Sequence, residues 1–272
     1  MDQPTLKEET ITYKILTEHR KLSKGVNQEG ITFYKNLINK LLANGTQSLV
    51  TLFNWDTPQA LEDEYLGFLS PRIVSDFRIY ANHCFKEFSH KVLWTTINEP
   101  STYASNGYDT GMYAPGRCSA WMNNSCFGGN SATEPYIVVH HMLLAHAEAA
   151  ISYRRKYKSS QKGEIGIVLV SNWFEAYSKT KQDAEAAKRA IDFMSGWYID
   201  PLTYGDYPKN MCRLVGDRSP KSPTEQAEMV KGSYDFLGLD YYTSSYASNM
   251  DSPYKVKISY SRHSRVNETT KS

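Results

Sequence analysis

The chain has 272 residues and a formal net charge of +2, and its 40% hydrophobic and 22% charged residues are ordinary values for a globular protein. It has no basic block with the size and aromatic interleaving that nucleic-acid binding requires, and no apolar run approaches the length of a membrane span. We therefore expect neither a nucleic-acid partner nor a membrane partner.

Hydrophobic periodicity from residue 30 onward predicts helices that alternate with strands. The predicted strands are Ser48–Phe53, Val92–Ile97, Glu164–Val170 and Asp235–Tyr241. The predicted helices run from residue 30 to the C-cap at Asn44-Gly45, and over Pro71–Phe88, 133–158, 183–199, 207–215 and Pro223–Lys231. Strands that alternate with helices favour a parallel sheet with right-handed crossovers.

Three stretches have no clear period. Residues 1–24 are polar, and the tail from Asn249 onward alternates only weakly, which predicts a loop or hairpin. Residues 100–133 are predicted to form a loop, and a loop of that length in a compact domain is usually functional.

The second predicted strand ends in Asn98-Glu99-Pro100. Pro100 cannot continue a central ladder, so the strand leaves an amide and a carboxylate at its carboxyl end, where α/β proteins bind ligands. A Glu among apolar neighbours should have a raised pKa and could donate a proton near neutral pH. The alternative is a Glu that caps the next helix or pairs with a Lys.

The other strand ends are also polar or aromatic. Asn54-Trp55-Asp56, Ser171-Asn172-Trp173-Phe174 and Asp240-Tyr241-Tyr242-Thr243 bring amides, carboxylates and rings to one rim, as in a (β/α)8 barrel. The alternative is that Asn and aromatic residues merely favour strand ends and turns. Four such units occupy about 190 residues, so eight cannot fit, and the pattern predicts a smaller open sheet or part of a barrel.

The cysteines and the candidate glycosylation sequons indicate in which cellular compartment the protein could be located. Cys118 and Cys126 lie eight positions apart in a Gly/Ser/Asn-rich segment, and such a pair could close that loop in an oxidising compartment. Cys84 and Cys212 are predicted to be buried free thiols. Candidate glycosylation sites are Asn44, Asn123 and Asn267. These features favour the secretory pathway, although the N-terminus has no apolar signal core, so the localisation stays open.

Longer motifs follow one another in order along the chain: Gly25–Gly30, Thr51–Leu61, Thr95–Pro100, Ala114–Ser119, Ala132–Tyr136, Gly205–Pro208 and Gly238–Thr243. From about Gly25 to Thr270 the sequence thereby resembles plant-type β-glucosidases of glycoside hydrolase family 1. We therefore expect a divergent N-terminal segment at residues 1–24 and a partial barrel domain at residues 25–272.

The resemblance implies an α/β fold, the eight-stranded (β/α)8 TIM barrel, of which the four predicted strands look like strands three to six. Strands one and two should precede residue 25, but the first 20 or so residues do not resemble them. Strands seven and eight would follow residue 272. Open sheet edges and an unfilled interior predict that this chain alone is poorly stable or aggregates.

The resemblance also implies a retaining O-glycosyl hydrolase that acts on a small-molecule β-glucoside without a metal or cofactor. Glu99 looks like the general acid/base, and Asn98 looks like the amide that binds the sugar 2-hydroxyl. Tyr242 looks like the phenol that hydrogen-bonds the nucleophile. Trp173 and Phe174 stand where the family builds its aglycone wall, with ordinary core aromatics as the alternative.

Three departures from the family pattern stand out. Asn54, a substrate-binding candidate, stands where the family usually has a His, and Asp240 stands where it usually has an Asn. The nucleophile motif Ile/Val-Thr-Glu-Asn-Gly does not occur in the 272 residues. We therefore expect this chain to be inactive alone. One alternative is a non-catalytic glycoside-binding or interaction remnant, and another is a repurposed hydrolase that uses Asp56 or Asp240 as base. The oligomeric state and the sugar and aglycone specificity stay open.

Overall fold

The computed structural model of the protein describes residues 6–10, 26–88, 92–250 and 257–270. The strands of this part are β1 (Leu6–Thr10), β2 (Gln47–Phe53), β3 (Leu93–Asn98), β4 (Glu164–Ala176), β5 (Phe236–Asn249) and β6 (Val266–Thr269). The helices are α1 (Gln28–Ala43), α2 (Gln59–Tyr65), α3 (Arg72–Glu87), α4 (Pro100–Tyr108), α5 (Glu134–Lys156), α6 (Lys158–Gln161), α7 (Lys181–Ile191), α8 (Trp197–Tyr204), α9 (Lys209–Val215), α10 (Thr224–Val230) and α11 (Tyr260–His263). No helix of these ranges is both long enough and apolar enough to cross a membrane.

The chain divides into two compact units. The first unit comprises residues 1–98, 141–168 and 232–238, and the second comprises residues 99–140, 169–231 and 239–272.

The first unit contains a parallel sheet. Strands β1 to β4 pair in chain order, and each of these pairs is parallel, as the alternation of helices and strands predicted. The side chains of Val50, Leu52, Trp94 and Ile97 are fully buried. Such nearly continuous apolar runs are typical of parallel strands that are covered on both faces.

Helix α3 packs on this sheet through one aromatic face. The ring of Phe85 lies 5.0 Å from the ring of Trp94 between centroids, edge to face. The hydroxyl of Tyr80 donates a 3.0 Å hydrogen bond to the carbonyl of Leu52. The helix therefore buries its apolar stripe against β2 and β3, and the buried hydroxyl of Tyr80 has a hydrogen-bond partner.

Helix α1 ends at the predicted C-cap and begins two residues before the predicted start. The Oδ1 of Asn27 accepts a 3.1 Å bond from the backbone of Gly30 at the N-terminus. Asn44 caps the C-terminus, and Gly45 follows with a φ of +73°, a conformation that costs a glycine little.

The start of β5 runs beside β4 within the first unit. The backbone N–H of Asp235 donates to the carbonyl of Ile165 at 2.7 Å. A Cβ on Gly166 would lie 2.3 Å from the carbonyl oxygen of Phe236, so only glycine allows this close approach. The Asp235 carboxylate pairs with Arg154 at 2.9 Å.

In the second unit, β5 and β6 form an antiparallel pair that runs from Tyr246 opposite Thr269 to Asn249 opposite Val266. The tail thus contains the hairpin pairing that weak alternation had predicted. A cluster around Ala186 and Ala190 of α7 includes Phe174 and Val266.

A second aromatic group in this unit combines rings with buried polar atoms. The rings of Trp197 and Tyr260 stack at 4.6 Å, and the hydroxyl of Tyr136 is 2.6 Å from Nδ1 of His263. The fully buried Asp109 accepts a 3.1 Å bond from the backbone of Ser261. Buried polar groups in this unit are therefore tied to one another over long sequence separations.

The predicted link between Cys118 and Cys126 is confirmed, since the two residues form a disulfide. Beside it, the guanidinium of Arg117 binds both carboxylate oxygens of Glu134, at 2.7 and 3.0 Å.

The prediction that Cys212 is buried was wrong. Helix α9 buries Met211, so the next residue along the helix turns outward.

Several element boundaries differ from those predicted. Residues 100–133 contain helix α4, whose first residue is Pro100. Strand β4 runs six residues beyond the predicted Val170, and β5 continues to Asn249. The predicted helix at 183–199 is α7 followed by a π-helical segment at Asp192–Gly196 and by α8.

The N-terminal segment contains one strand that the sequence did not predict. Residues 1–5 and 11–25 of the predicted divergent segment lie outside the described residues. The remaining stretch forms strand β1, which pairs in parallel with β2 from Leu6 opposite Gln47 to Thr10 opposite Thr51. Backbone groups alone make this ladder, so a sequence without an apolar period could still form it.

Candidate active site

Glu99 is the first residue after β3 and precedes α4. Its backbone has a φ of 40° and a ψ of 61°, in the left-handed region. A residue other than glycine held there stores on the order of 1–3 kcal/mol, and such residues cluster at functional sites. The side chain is only 5% exposed. The turn between β3 and α4 therefore buries a carboxyl group that water would otherwise solvate.

Two side chains of the second unit donate hydrogen bonds to the carboxyl group of Glu99. The hydroxyl of Thr102, one turn along α4, donates to Oε2 at 2.9 Å. The hydroxyl of Tyr242 donates to Oε1 at 3.3 Å. Asp240, also in the second unit, is a further neighbour that raises the pKa of Glu99. Because strand side chains alternate, Asp240 and Tyr242 lie on the same face of β5.

These surroundings favour the protonated form of Glu99. Burial raises the pKa of the Glu99 carboxyl, and the neighbouring carboxyl of Asp240 raises it further, whereas the donors on Thr102 and Tyr242 act in the opposite direction. Glu99 makes no side-chain capping bond to α4. In the described ranges no ion pair includes Glu99, so the geometry does not favour the alternative of a cap or a Lys partner.

Asn54 and Asn98 of the first unit form a hydrogen bond to each other. The Nδ2 of Asn98 donates to Oδ1 of Asn54 at 3.2 Å, and Nε1 of Trp55 donates to the carbonyl of Asn98 at 2.9 Å. Trp55 has a φ of 68°, a second left-handed residue, and lies two positions after the end of β2. The sequence motif contained Trp55, but the sequence analysis assigned it no role. An aromatic ring two positions after a buried strand was the signal available.

Trp173 and Phe174 are adjacent on β4 but differ in exposure. Trp173 is 55% exposed, and its Nε1 donates to Glu175 at 3.3 Å. Phe174 is 4% exposed and packs in the cluster around α7. Successive strand residues face opposite sides, so only Trp173 can offer a ring to a ligand in this arrangement.

The candidate glycosylation sites have different surroundings. Asn44 is exposed at the end of α1, and Asn267 is exposed on β6. Asn123 is partly buried inside the disulfide loop, where its Oδ1 accepts a 2.9 Å bond from the backbone of Ser125.

Chemically, the arrangement around Glu99 is suited to proton transfer. A carboxyl group with a raised pKa retains its proton to higher pH than an exposed Glu does, and the hydroxyl donors of Thr102 and Tyr242 can stabilise the anion after the proton leaves. In the part of the chain that the structure describes, no group of three or more His, Cys, Asp and Glu side chains is arranged to hold a metal ion.

The family is decided by comparison with known proteins. The sequence profile of Glycosyl hydrolase family 1 matches residues 15–272. The chain belongs to this family. Beta-glucosidase 12 of Oryza sativa subsp. indica is 53% identical over 261 residues, which cover 96% of this chain and 51% of the relative. Furcatin hydrolase of Viburnum furcatum is 56% identical over 259 residues, which cover 95% of this chain and 47% of the relative. The chain spans about half the length of these curated relatives.

Solved family 1 structures have the same fold. A rice Os3BGlu6 β-glucosidase superposes with a TM-score of 0.92 and 45% identity, over 96% of this chain and 55% of that chain. A family 1 β-glucosidase from the fungus Humicola insolens, solved in complex with glucose, gives a TM-score of 0.90 and 35% identity, over 97% and 55%. These neighbours are TIM barrels, so the predicted fold class, part of a (β/α)8 barrel, is confirmed, as is the predicted family.

Proposed function

We propose that Glu99 is the general acid/base of a retaining β-glucosidase and that this family 1 chain supplies the proton-transfer half of that site. The observation that carries the proposal is the buried Glu99 carboxyl at the carboxyl end of β3, with its pKa raised by burial. β-Glucosidases among the relatives support the same reaction class.

The proposed mechanism uses Glu99 twice. In the first step its proton moves to the glycosidic oxygen while the bond from that oxygen to the anomeric carbon breaks. In the second step the Glu99 carboxylate removes a proton from the water that attacks the anomeric carbon, and the acid form is restored. Thr102 and Tyr242 stabilise the carboxylate between the two steps, because each donates a hydrogen bond to one of its oxygens.

Asn98 and Asn54 fit a role in binding the sugar. The amide of Asn98 carries two N–H groups, and Asn54 accepts one of them. We assign the other N–H to the sugar 2-hydroxyl, a bond that strengthens as the oxocarbenium-like transition state forms. Asn54 then acts mainly by orienting the Asn98 amide.

Tyr242 and Trp173 complete the proposed site, and Phe174 does not belong to it. Tyr242 is 72% exposed and donates to Glu99, so its phenol can also approach a second carboxylate. The exposed face of Trp173 suits an aromatic or terpenoid aglycone. Phe174 is packed among the alanines of α7, which supports the alternative of a core aromatic.

A retaining enzyme also needs a nucleophilic carboxylate about 5–5.5 Å from the acid/base. The family's nucleophile motif is absent from the 272 residues. We therefore propose that the isolated 272-residue chain does not hydrolyse β-glucosides.

Two measurements on the purified chain test the proposal. The first is release of 4-nitrophenol from its β-glucoside, which we expect to stay at the uncatalysed rate. The second is calorimetric titration with a glucose-shaped imidazole, whose basic nitrogen accepts a proton from the acid/base. Glu99→Gln should weaken binding of the imidazole, whereas Glu228→Gln, an exposed matched control on α10, should not.

The outcomes separate the parts of the proposal. Equal imidazole affinity in the native chain and in Glu99→Gln would refute the acid/base role. Sustained release of 4-nitrophenol would instead refute the proposed inactivity.

The second candidate function is non-catalytic binding of a glycoside. The bond between Asn54 and Asn98 favours it, since this sugar-binding amide pair is formed although no nucleophile motif is present. In that case Glu99→Gln should change the affinities for a neutral glucoside and for the imidazole by the same factor. A larger loss for the imidazole alone supports the acid/base role.

A further inference from the structure

The carboxyl end of β4 carries two exposed aromatic rings with a carboxylate between them. Trp173 is 55% exposed and Tyr177 is 46% exposed, and Glu175 between them is exposed as well. Because side chains on a strand alternate between its two faces, these three residues, at every second position, share one face. Phe174 lies on the opposite face and is buried. We call Trp173, Glu175 and Tyr177 the β4 row.

Contacts within the second unit hold the β4 row in place. The indole Nε1 of Trp173 donates to Oε2 of Glu175 at 3.3 Å, so the ring and the carboxylate are tied to each other. The backbone N–H of Tyr177 donates to the carbonyl of Ala247 at 3.0 Å, which continues the ladder of β4 by one residue. The rings of Tyr177 and Tyr246 meet edge to face with centroids 6.5 Å apart. Strand β5 therefore supports the row while its rings remain exposed.

The negative charge of the β4 row has no cationic partner in the described ranges, where no ion pair includes Glu175. Lys179, the next cationic residue along the chain, lies beyond the last residue of β4. A carboxylate has about four acceptor positions, and the indole N–H of Trp173 uses one of them. The row thus combines two aromatic faces with a carboxylate that can still accept contacts from a ligand.

We propose that the β4 row binds an organic cation of the aryl-ammonium class and that Glu175 makes it prefer cationic over anionic ligands. The face of an aromatic ring attracts a cation through its π-electrons, and a neighbouring carboxylate adds Coulomb attraction. Binding of a cation by the row is independent of the proposed function. Its extension, that the row receives a positively charged aglycone, rests on the proposed function, in which Trp173 contacts the aglycone.

The expected preference is modest because the β4 row is exposed. An exposed cation–π contact and an exposed ion pair each strengthen binding by roughly two- to five-fold. Since the same carboxylate repels an anion, an aryl cation should bind on the order of ten-fold more tightly than an aryl anion of similar size at low salt. High salt should reduce this ratio, because exposed charges are screened.

The test titrates the ¹⁵N-labelled 272-residue chain with phenyltrimethylammonium and, separately, with benzoate. The readout is the indole N–H signals of its five tryptophans, among which the Trp173→Phe variant identifies the signal of Trp173. We expect phenyltrimethylammonium to shift this signal to saturation and benzoate to bind on the order of ten-fold more weakly. Glu228→Gln, at an exposed carboxylate of α10, is the matched control and should leave both affinities unchanged.

Two variants of Glu175 separate its charge from its contact with the ring. Glu175→Gln keeps an oxygen that accepts the indole hydrogen bond but removes the charge, so the preference for the cation should fall to roughly the two- to five-fold of the rings alone. Glu175→Ala removes the acceptor as well, so the Trp173 signal should also move in the absence of any probe. Tyr177→Ala should weaken phenyltrimethylammonium by roughly two- to five-fold.

The outcomes decide the parts of the proposal separately. Equal affinities for phenyltrimethylammonium and benzoate in the native chain, or no shift of the Trp173 signal, refute the cation site. An undiminished preference in Glu175→Gln refutes the role of Glu175. If 4-(trimethylammonio)phenyl β-glucoside binds no more tightly than phenyltrimethylammonium, the site is upheld but does not receive the aglycone. A chain that prefers the cation while Glu99→Gln binds the imidazole normally upholds the site and rejects the acid/base function.

Discussion

The two units bury different kinds of groups. In the first unit, fully buried residues of β2, β3 and α3 such as Leu52, Trp94 and Phe85 pack against one another. The second unit contains a disulfide and the buried carboxyl groups of Asp109 and Glu99. Apolar burial does not depend on pH, whereas a buried titratable group makes stability depend on it. Sensitivity to reductant should therefore concentrate in the second unit, whereas both units contain a buried group that makes stability depend on pH: Asp109 in the second unit and, in the first, His146, whose pKa burial lowers to about 3.

The largest effect is expected from Trp94→Ala. Trp94 is fully buried on β3 against Phe85, so its removal leaves a large cavity and should cost about 3–5 kcal/mol of unfolding free energy. The matched control is Trp173→Ala, an exposed tryptophan of the second unit, which should change stability by about 0.5 kcal/mol or less. Urea unfolding measures both. Equal losses in the two variants would contradict the contrast in packing.

Removal of the disulfide should have the next largest effect. The Cys118–Cys126 bond closes a loop with a sequence separation of 8, and opening it should cost about 2–3 kcal/mol. The double variant to Ser should lose amide hydrogen-exchange protection around residues 117–134. Cys212→Ser, at an exposed thiol, is the control and should behave like the native chain. Undiminished protection in the double variant would show that the disulfide adds nothing to the loop.

Asp109 should make stability depend on pH. Burial raises the pKa of its carboxyl from 3.8 to about 6, against the bonds from Ser261 that lower it. Between these values the folded chain binds a proton at Asp109 and the unfolded chain does not, so the Asp109 contribution to stability falls as the pH rises through this window. Asp109→Asn should remove this contribution, on the order of 3 kcal/mol across the window.

Thermal melts between pH 4 and pH 7 measure this slope. Asp217→Asn, at an exposed carboxylate, should keep the native pH dependence. If Asp109→Asn melts with the native slope, burial of Asp109 is not the source of the pH dependence.

The sequence predicted those parts of the fold whose side chains carry the signal. Strands β2 and β3 are apolar runs because both faces are covered, and α1 has recognisable caps. Helix α4 was missed because its Ser, Asn and Gly residues have weak helix propensity. Pro100 at its first position was the available signal, but the sequence analysis read it only as the end of a strand. The later half of β4 was missed because polar residues interrupt its apolar run.

The candidate site was predictable where it is contiguous in sequence. Asn98 and Glu99 follow a buried strand directly, so the position of Glu99 at a strand end could be read without a structure. The hydrogen bond with Tyr242 could not, because it joins residues far apart in the chain and depends on which face of β5 turns toward Glu99. The left-handed backbone of Glu99 was equally hidden, since nothing in the residue type requires it.

The smallest effect on stability is expected from Tyr242→Phe. Tyr242 is 72% exposed, so loss of its hydroxyl should change the unfolding free energy by about 0.5 kcal/mol or less. Its bond to Glu99 lowers the pKa of that carboxyl, so the variant should titrate Glu99 at higher pH than the native chain. Thr102→Val removes the shorter bond and should move the Glu99 titration in the same direction by more. Urea unfolding and ¹³C NMR of the Glu99 carboxyl measure the two quantities in the same samples. A shift of the Tyr242→Phe titration to lower pH would mean that the phenol does not stabilise the carboxylate, and the pKa of Glu99 would then be set against burial by the Thr102 bond without help from Tyr242.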